Sequence, residues 1–442
     1  MALLAPPALP AAAAQARECP DPAGSQPFEQ AAPDDLGLDP AAVRDAIGFA
    51  TTRSALSVRV YRHGCLAGAS VLDPLTEDVP NDVWSTTKAV VSLLTGRATT
   101  LGLLDIDDPI GEYLPDWPGV DAEHRAITIR HLLTETSGLR FSWTPELAGL
   151  PADSVRYTLA LPFEHQPGTW FEYAQFTLTL LAYVVERAVG EDLQAFAQRE
   201  LFGPLGIDRR DWFWERERAG HTAGWAHLHL APADLARIGA LMLSGGTWRR
   251  ERLLDAAWLE EAHTPTAPNP AYGFAIWTNA GGGAVTPSLP SRKVVEGPRS
   301  LVKSAPADLY LSIGFQDQLV MVIPSLDMVI VRTGTFGNVS LDPQTLVTAN
   351  TGDWMHEFFR ILMRGVRDAD IPDPGPLPDR APTPVDLGYF VDARALTGAV
   401  GLGPQAPEGC TALGCDGRIA VEGLLQTGVD AAATAVWKTT GG

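Results

Sequence analysis

The stretch "VWSTTKAVVSLLTG", Val83 to Gly96, decides how the rest of the chain is read. A polar approach meets an almost wholly apolar run, and Ser85 stands at the junction. That is a natural helix N-terminus, where a side-chain oxygen satisfies free backbone N–H groups. Lys88 follows one turn later, so the two side chains share a face. Lys88 is also the only charged residue between Asp82 and Arg97. A cation set in an apolar helix needs a specific partner. Two readings follow. In one, Ser85 caps the helix and Lys88 extends into solvent. In the other, Ser85 is a nucleophile, and a lysine whose neutral form is favoured by apolar surroundings takes its proton. The helix N-terminus then stabilises the negative charge that builds during attack. The pattern Ser-x-x-Lys alone is common by chance.

Outward from this stretch the chain alternates in character. "DPAAVRDAIGFATT" predicts a helix capped by Asp39, and "SALSVRVYRHGCLAGASVLD" predicts a hairpin turning at His63-Gly64. After the Ser85 helix, "GLLDIDDPIGEYLPDW" reads as a turn and a short helix. "ITIRHLLTETSGL" reads as a helix closed by Gly138, and "YAQFTLTLLAYVVERAVG" as a long apolar helix closed by a glycine. "LQAFAQRELFGPLGI" is a helix stopped by Pro204, and "APADLARIGALMLSGG" is another with Pro or Asp at its start. Past Tyr272, "YGFAIWTN", "DLYLSIGFQDQLVMVIP" and "DMVIVRTG" are β-rich, and "DWMHEFFRILMRGV" is an amphipathic helix expected to pack on their sheet. Strands near both ends must therefore join in one antiparallel sheet flanked by helices, with an all-helical lobe inserted between them. The fold class is α+β, in two lobes with a cleft between them, a common place for a ligand. The domain reading is a loose leader over 1–34, one domain over 35–365, and a Pro-rich linker with a weakly patterned tail over 366–442.

Composition narrows the partners. The chain has 442 residues, 45% hydrophobic and 19% charged, which is a globular composition. Its net charge of −20 repels nucleic acid and anionic lipid. No apolar run is long enough to span a membrane. The nine His form no HExxH and the four Cys no paired CxxC, so no metal or other cofactor is expected. His227 and His229 alternate as on a strand and lack carboxylate support in sequence, which reads as structural. The glycines at 281–283 read as a turn, since no Gly-Lys-Ser/Thr follows. Trp143, Trp170, Trp212, Trp214, Trp225 and Trp277 read as core before cleft. The leader "MALLAPPALPAAAAQA" is apolar and ends in an A-x-A pattern, but it lacks the basic start of a signal peptide; it is read as a partial one. Four Cys suit an oxidising, extracytoplasmic compartment. Cys410 with Cys415, and Cys19 with Cys65, are the pairs considered, although spacing alone does not fix the pairing.

Tyr173, after a Pro-Gly turn and before the long apolar helix, is the second candidate. A tyrosinate whose pKa is lowered by an ammonium can shuttle protons at a serine oxygen. The plainer reading is a half-buried tyrosine.

Four stretches, "WSTTKAVVSLLTGRATTLGLLDIDDPIGEYLPDW", "ITIRHLLTETSGL", "FEYAQFTLTLLAYVVERAVG" and "DLARIGALMLSGGTW", together resemble the serine β-lactamase-like hydrolases. That superfamily includes class C β-lactamases, D-alanyl-D-alanine carboxypeptidases, penicillin-binding proteins, esterases and 6-aminohexanoate-dimer hydrolases. The resemblance covers residues 40 to 360. It implies that Ser85 is the acylated nucleophile, that Lys88 shares its proton, and that Tyr173 is general base and then acid. It also implies that Ser312-Ile313-Gly314 replaces the family's Lys-Thr-Gly. Gly314 would let substrate approach the strand, and the N–H groups of Ser85 and Phe315 would form the oxyanion hole. Two positions depart from the pattern: Gln175 stands where the family's Tyr-x-Asn has Asn, and Ser312 where β-lactamases hold Lys. Both departures lean toward a small ester or amide substrate, with a β-lactamase, a carboxypeptidase or a non-turnover binding module as alternatives. Glu135 stands where such sequences have an uncharged residue or His.

Overall fold

A computed structural model describes residues 16–115, 117, 120–281, 300–335, 353–377 and 391–440. The expected leader over its first fifteen residues, Gly282 and Gly283, and much of the Pro-rich linker lie outside them. Six strands form the main sheet: β1 (Ala55–Arg62), β2 (Cys65–Ala69), β3 (Trp277–Thr278), β4 (Tyr310–Gly314), β5 (Gln318–Ile323) and β6 (Met328–Gly334). Their order is β2-β1-β6-β5-β4-β3, and every pairing is antiparallel. β1 pairs with β6 from Ala55 opposite Gly334 to Arg62 opposite Met328. The early strand β1 and the late strand β6 thus meet in one sheet, as the strand pattern requires. β1, β5 and β6 are almost wholly buried, because helices cover both faces.

Eight helices matter here: α1 (Pro40–Thr51), α2 (Thr86–Thr100), α3 (Ile129–Leu133), α4 (Trp143–Leu147), α5 (Phe176–Val189), α6 (Pro232–Leu243), α7 (Asp353–Met363) and α8 (Glu422–Thr440). The Asp39 side chain caps α1 by accepting from the N–H groups of Ala41 and Ala42. α1 and α7 pack together beside β1, and α6 packs on β5 and β6. α2 is buried along nearly its whole length, and it touches α5, β4 and β5. That explains its apolar run: it is the central helix between the lobes.

Several expectations are corrected. The Gly138 helix ends five residues early, at Leu133, because Glu135 adopts a left-handed backbone (φ 52°). Gly138 is still required, since a Cβ there would meet the His165 carbonyl at 2.2 Å. The segment after Ala16 is not loose. The Cys19 N–H donates to the His63 carbonyl, Cys19 is bonded to Cys65, and Gln30 bridges to Leu66 beside β2. The tail carries the 19-residue helix α8, docked by Thr434 on the Trp212 carbonyl, by Lys438 on Asp211 and by Trp437 under Arg210. A second disulfide joins Cys410 and Cys415. Both disulfides fit an oxidising compartment. Among the described residues no helix is long and apolar enough to cross a membrane.

Candidate active site

The site is built where α2 and α5 begin beside the end of β4. Ser85 occupies the N-cap position of α2, yet its side chain makes no capping hydrogen bond. The hydroxyl is instead paired with Lys88, whose amino group lies 3.2 Å away. Lys88 is 1% exposed, which excludes the reading of a solvated surface lysine. Its other partners are the Gln175 side-chain oxygen at 2.7 Å and the Trp225 carbonyl at 3.0 Å. Both of those oxygens only accept. A neutral amine can donate to each and direct its lone pair at the Ser85 hydroxyl. Burial pulls the Lys88 pKa down to about 8, against the opposing charges of Glu135 and Glu146.

Tyr173 lies over this amine, with Lys88 Nζ 4.7 Å from its ring centroid. The Ser85 side chain lies close enough to lower the pKa of this phenol. Burial, reinforced by Glu135, raises the Tyr173 pKa far above the ordinary phenol value, the opposite direction from the lowering that a tyrosinate needs, and Ser85 offsets this only in part.

Gln175 is set by a residue that the sequence did not reveal. One oxygen of buried Glu146, on α4, accepts from the N–H of Gln175 at 2.7 Å and of Phe176 at 3.0 Å. These donors open α5, so a carboxylate satisfies the helix terminus there. Nothing in the local pattern announces this, since the contact spans about thirty residues of chain.

Ser312 and Gly314 lie on β4 as expected, both buried. The Ser312 hydroxyl has no hydrogen-bond partner among the described residues. The freedom of Gly314 is used by the protein rather than left open: a Cβ would sit 2.2 Å from the Val83 carbonyl. This close crossing holds β4 against the approach to Ser85. Phe315, half-buried at the strand end, packs edge-on against Trp84 with centroids 5.2 Å apart. Trp84 itself is held at φ 48°, and its N–H donates to Asp82.

The histidines have carboxylate support after all: His227 pairs with Asp82 at 2.8 Å and His229 with Glu215 at 3.0 Å. No group of three or more His, Cys, Asp or Glu able to hold a metal occurs among the described residues. His227 lies edge-on to Trp225 and tilted against Trp84. Of the tryptophans, Trp212, Trp214 and Trp277 are core, Trp170 is set apart against His165, and Trp143 packs partly exposed near Phe141 and Ala174.

The Beta-lactamase family profile matches residues 43–336. The chain is 32% identical over 153 residues to esterase EstB of Burkholderia gladioli, covering 30% of this chain and 38% of the esterase. It is 32% identical over 160 residues to a monacolin J acid methylbutanoyltransferase of Aspergillus terreus, covering 31% of this chain and 38% of that protein. These matches span well under half of either relative. A Bacillus anthracis structure, provisionally titled a 6-aminohexanoate-dimer hydrolase, superposes with a TM-score of 0.56. It is 14% identical and covers 78% of this chain and 88% of that one, a likeness of fold alone.

Proposed function

This chain belongs to the β-lactamase family, and from that premise we propose that it is an extracytoplasmic serine hydrolase cleaving a small ester or amide through an acyl-enzyme. The observation that carries the reading is the buried, partner-matched Lys88 amine beside the Ser85 hydroxyl. Ser85 Oγ attacks the carbonyl and gives its proton to Lys88. The N–H groups of Ser85 and Phe315 receive the developing oxyanion. Tyr173 relays the proton onto the leaving oxygen or nitrogen. Water then enters by the reverse path and releases the acid. Residues 35–365 form the catalytic unit, and 366–442 are an extension to it.

Two observations weigh on the substrate. Ser312 carries no charge, so the strand offers no ammonium to a substrate carboxylate, which disfavours β-lactams and D-alanyl peptides. EstB is named an esterase and the Aspergillus terreus relative a methylbutanoyltransferase, in keeping with this. The non-turnover reading draws on Gln175, whose side-chain oxygen accepts from Lys88 while its amide nitrogen donates to the Tyr173 carbonyl. The test is hydrolysis of p-nitrophenyl esters and p-nitroanilides beside a chromogenic cephalosporin, for wild type and Ser85→Ala. Ser85-dependent turnover of the esters or anilides supports the proposal. Preference for the cephalosporin overturns the substrate assignment.

A further inference from the structure

Glu135 is the feature of this site that the family reading leaves without a task. It is 1% exposed, on a left-handed residue immediately past α3. Its backbone carbonyl accepts from the Glu172 N–H, which ties it to the approach to Tyr173. One carboxyl oxygen accepts from the Tyr272 hydroxyl at 3.0 Å. The other is fully buried and has no hydrogen-bond partner among the described residues. A carboxyl in that setting is expensive unless a charge answers it. The groups facing it are Lys88 from α2, Tyr173 from the approach to α5, Tyr272 from the loop before β3, and Glu146 from α4. Lys88 is the only cation among them. Glu146 accepts from the two N–H groups that open α5, whereas among the described residues the side-chain donor to Glu135 is the Tyr272 phenol, with the Ala174 backbone also favouring its charged form.

We propose that Glu135 is a positioning residue, the buried counter-charge to Lys88 that sets where the Ser85 proton rests during acylation. This rests on the reading of Ser85 and Lys88 given above. Acylation needs the Lys88 amine, and its reactive arrangement sets that amine beside the Glu135 carboxylate, with one negative charge in all. As the Ser85 Oγ–C bond forms, the hydroxyl proton moves to Lys88, and the new ammonium is answered by the carboxylate while the negative charge of the serine oxygen passes to the oxyanion. When the proton passes through Tyr173 to the leaving group, the amine returns. Burial pushes the Glu135 pKa up to about 8, against the charge of Lys88 and the bond from Tyr272, so the coupled pair takes up one proton as pH falls and leaves the reactive arrangement.

The experiment is the pH profile of kcat/KM on a p-nitrophenyl ester for wild type, Glu135→Gln and Tyr272→Phe, each checked for folding and for fluorophosphonate labelling at Ser85. Removing the carboxylate charge favours the neutral amine. The acid limb of Glu135→Gln is therefore expected to move about one pH unit lower, with a maximal rate reduced about tenfold because the new ammonium is unanswered. Tyr272→Phe, which takes away the only side-chain donor to the carboxyl, should move the limb in the same direction by less. A profile of unchanged shape in either folded variant overturns the inference, as does failure of both variants to fold, which marks a purely structural residue. If wild type itself is neither labelled nor active, the reading of Ser85 has failed instead.

Discussion

The Lys88 amino group donates to the Gln175 side-chain oxygen at 2.7 Å, where the family's pattern places an asparagine. The longer amide therefore reaches the amine directly. Gln175→Leu keeps the volume and removes the acceptor. A buried hydrogen bond to a charged or potentially charged group is worth about 1.5–3 kcal/mol, so kcat/KM should fall about 10- to 100-fold. Gln175→Asn keeps the amide on a shorter arm and should stay within about tenfold of wild type. Steady-state kinetics on one ester separates the two.

The lowered pKa of Lys88 fixes two signs. If the neutral amine is the base, kcat/KM rises with pH through about 8 and then levels. In the unfolded chain the same lysine holds its proton to its ordinary value of 10.5. Between those values the unfolded state binds more protons, so stability rises with pH across that window, by up to about 1.4 kcal/mol per pH unit. Lys88→Met should abolish turnover and flatten that slope in denaturant titrations from pH 8 to 10.

Ser312 presents a buried hydroxyl without a partner among the described residues. Ser312→Ala removes no hydrogen bond from the free protein, so its melting temperature should match wild type. If substrate takes that hydroxyl as its partner, KM should rise about five- to tenfold, the equivalent of one hydrogen bond of about 1 kcal/mol. A calorimetric scan and a saturation curve check both halves.

Glu146 answers two buried N–H groups at the start of α5. Glu146→Ala leaves both unpaired at about 1–3 kcal/mol each. It should lower the melting temperature by several degrees. Because Gln175 is one of those two residues, kcat should fall as well. Glu146→Gln, which keeps an acceptor oxygen, should restore most of both.

Much of this architecture is legible in the chain. Alternation at 55–69 and 310–334 and the apolar period at 176–189 name the strands and helices, because burial on two sheet faces and around a central helix imposes those periods. Ser85 and Lys88 are legible because an isolated charge in an apolar helix demands a reason. The missed features are set by contacts between distant segments. The helix before Gly138 stops early because Glu135 turns its backbone to meet the site, which no local propensity encodes. Glu146 caps a helix from another segment, and Gly314 answers to the carbonyl of Val83 rather than to a ligand. The protonation of Tyr173 depends on its burial, and a motif does not state burial.

The central claim is that Ser85 is acylated and then released. Intact-mass spectrometry after incubation with a fluorophosphonate, for wild type and Ser85→Ala, tests it most directly when paired with ester turnover. The account predicts one adduct per chain in wild type, mapped to Ser85, together with turnover that the adduct abolishes, and neither in Ser85→Ala. Unlabelled wild type, or labelling that persists in Ser85→Ala, would contradict it.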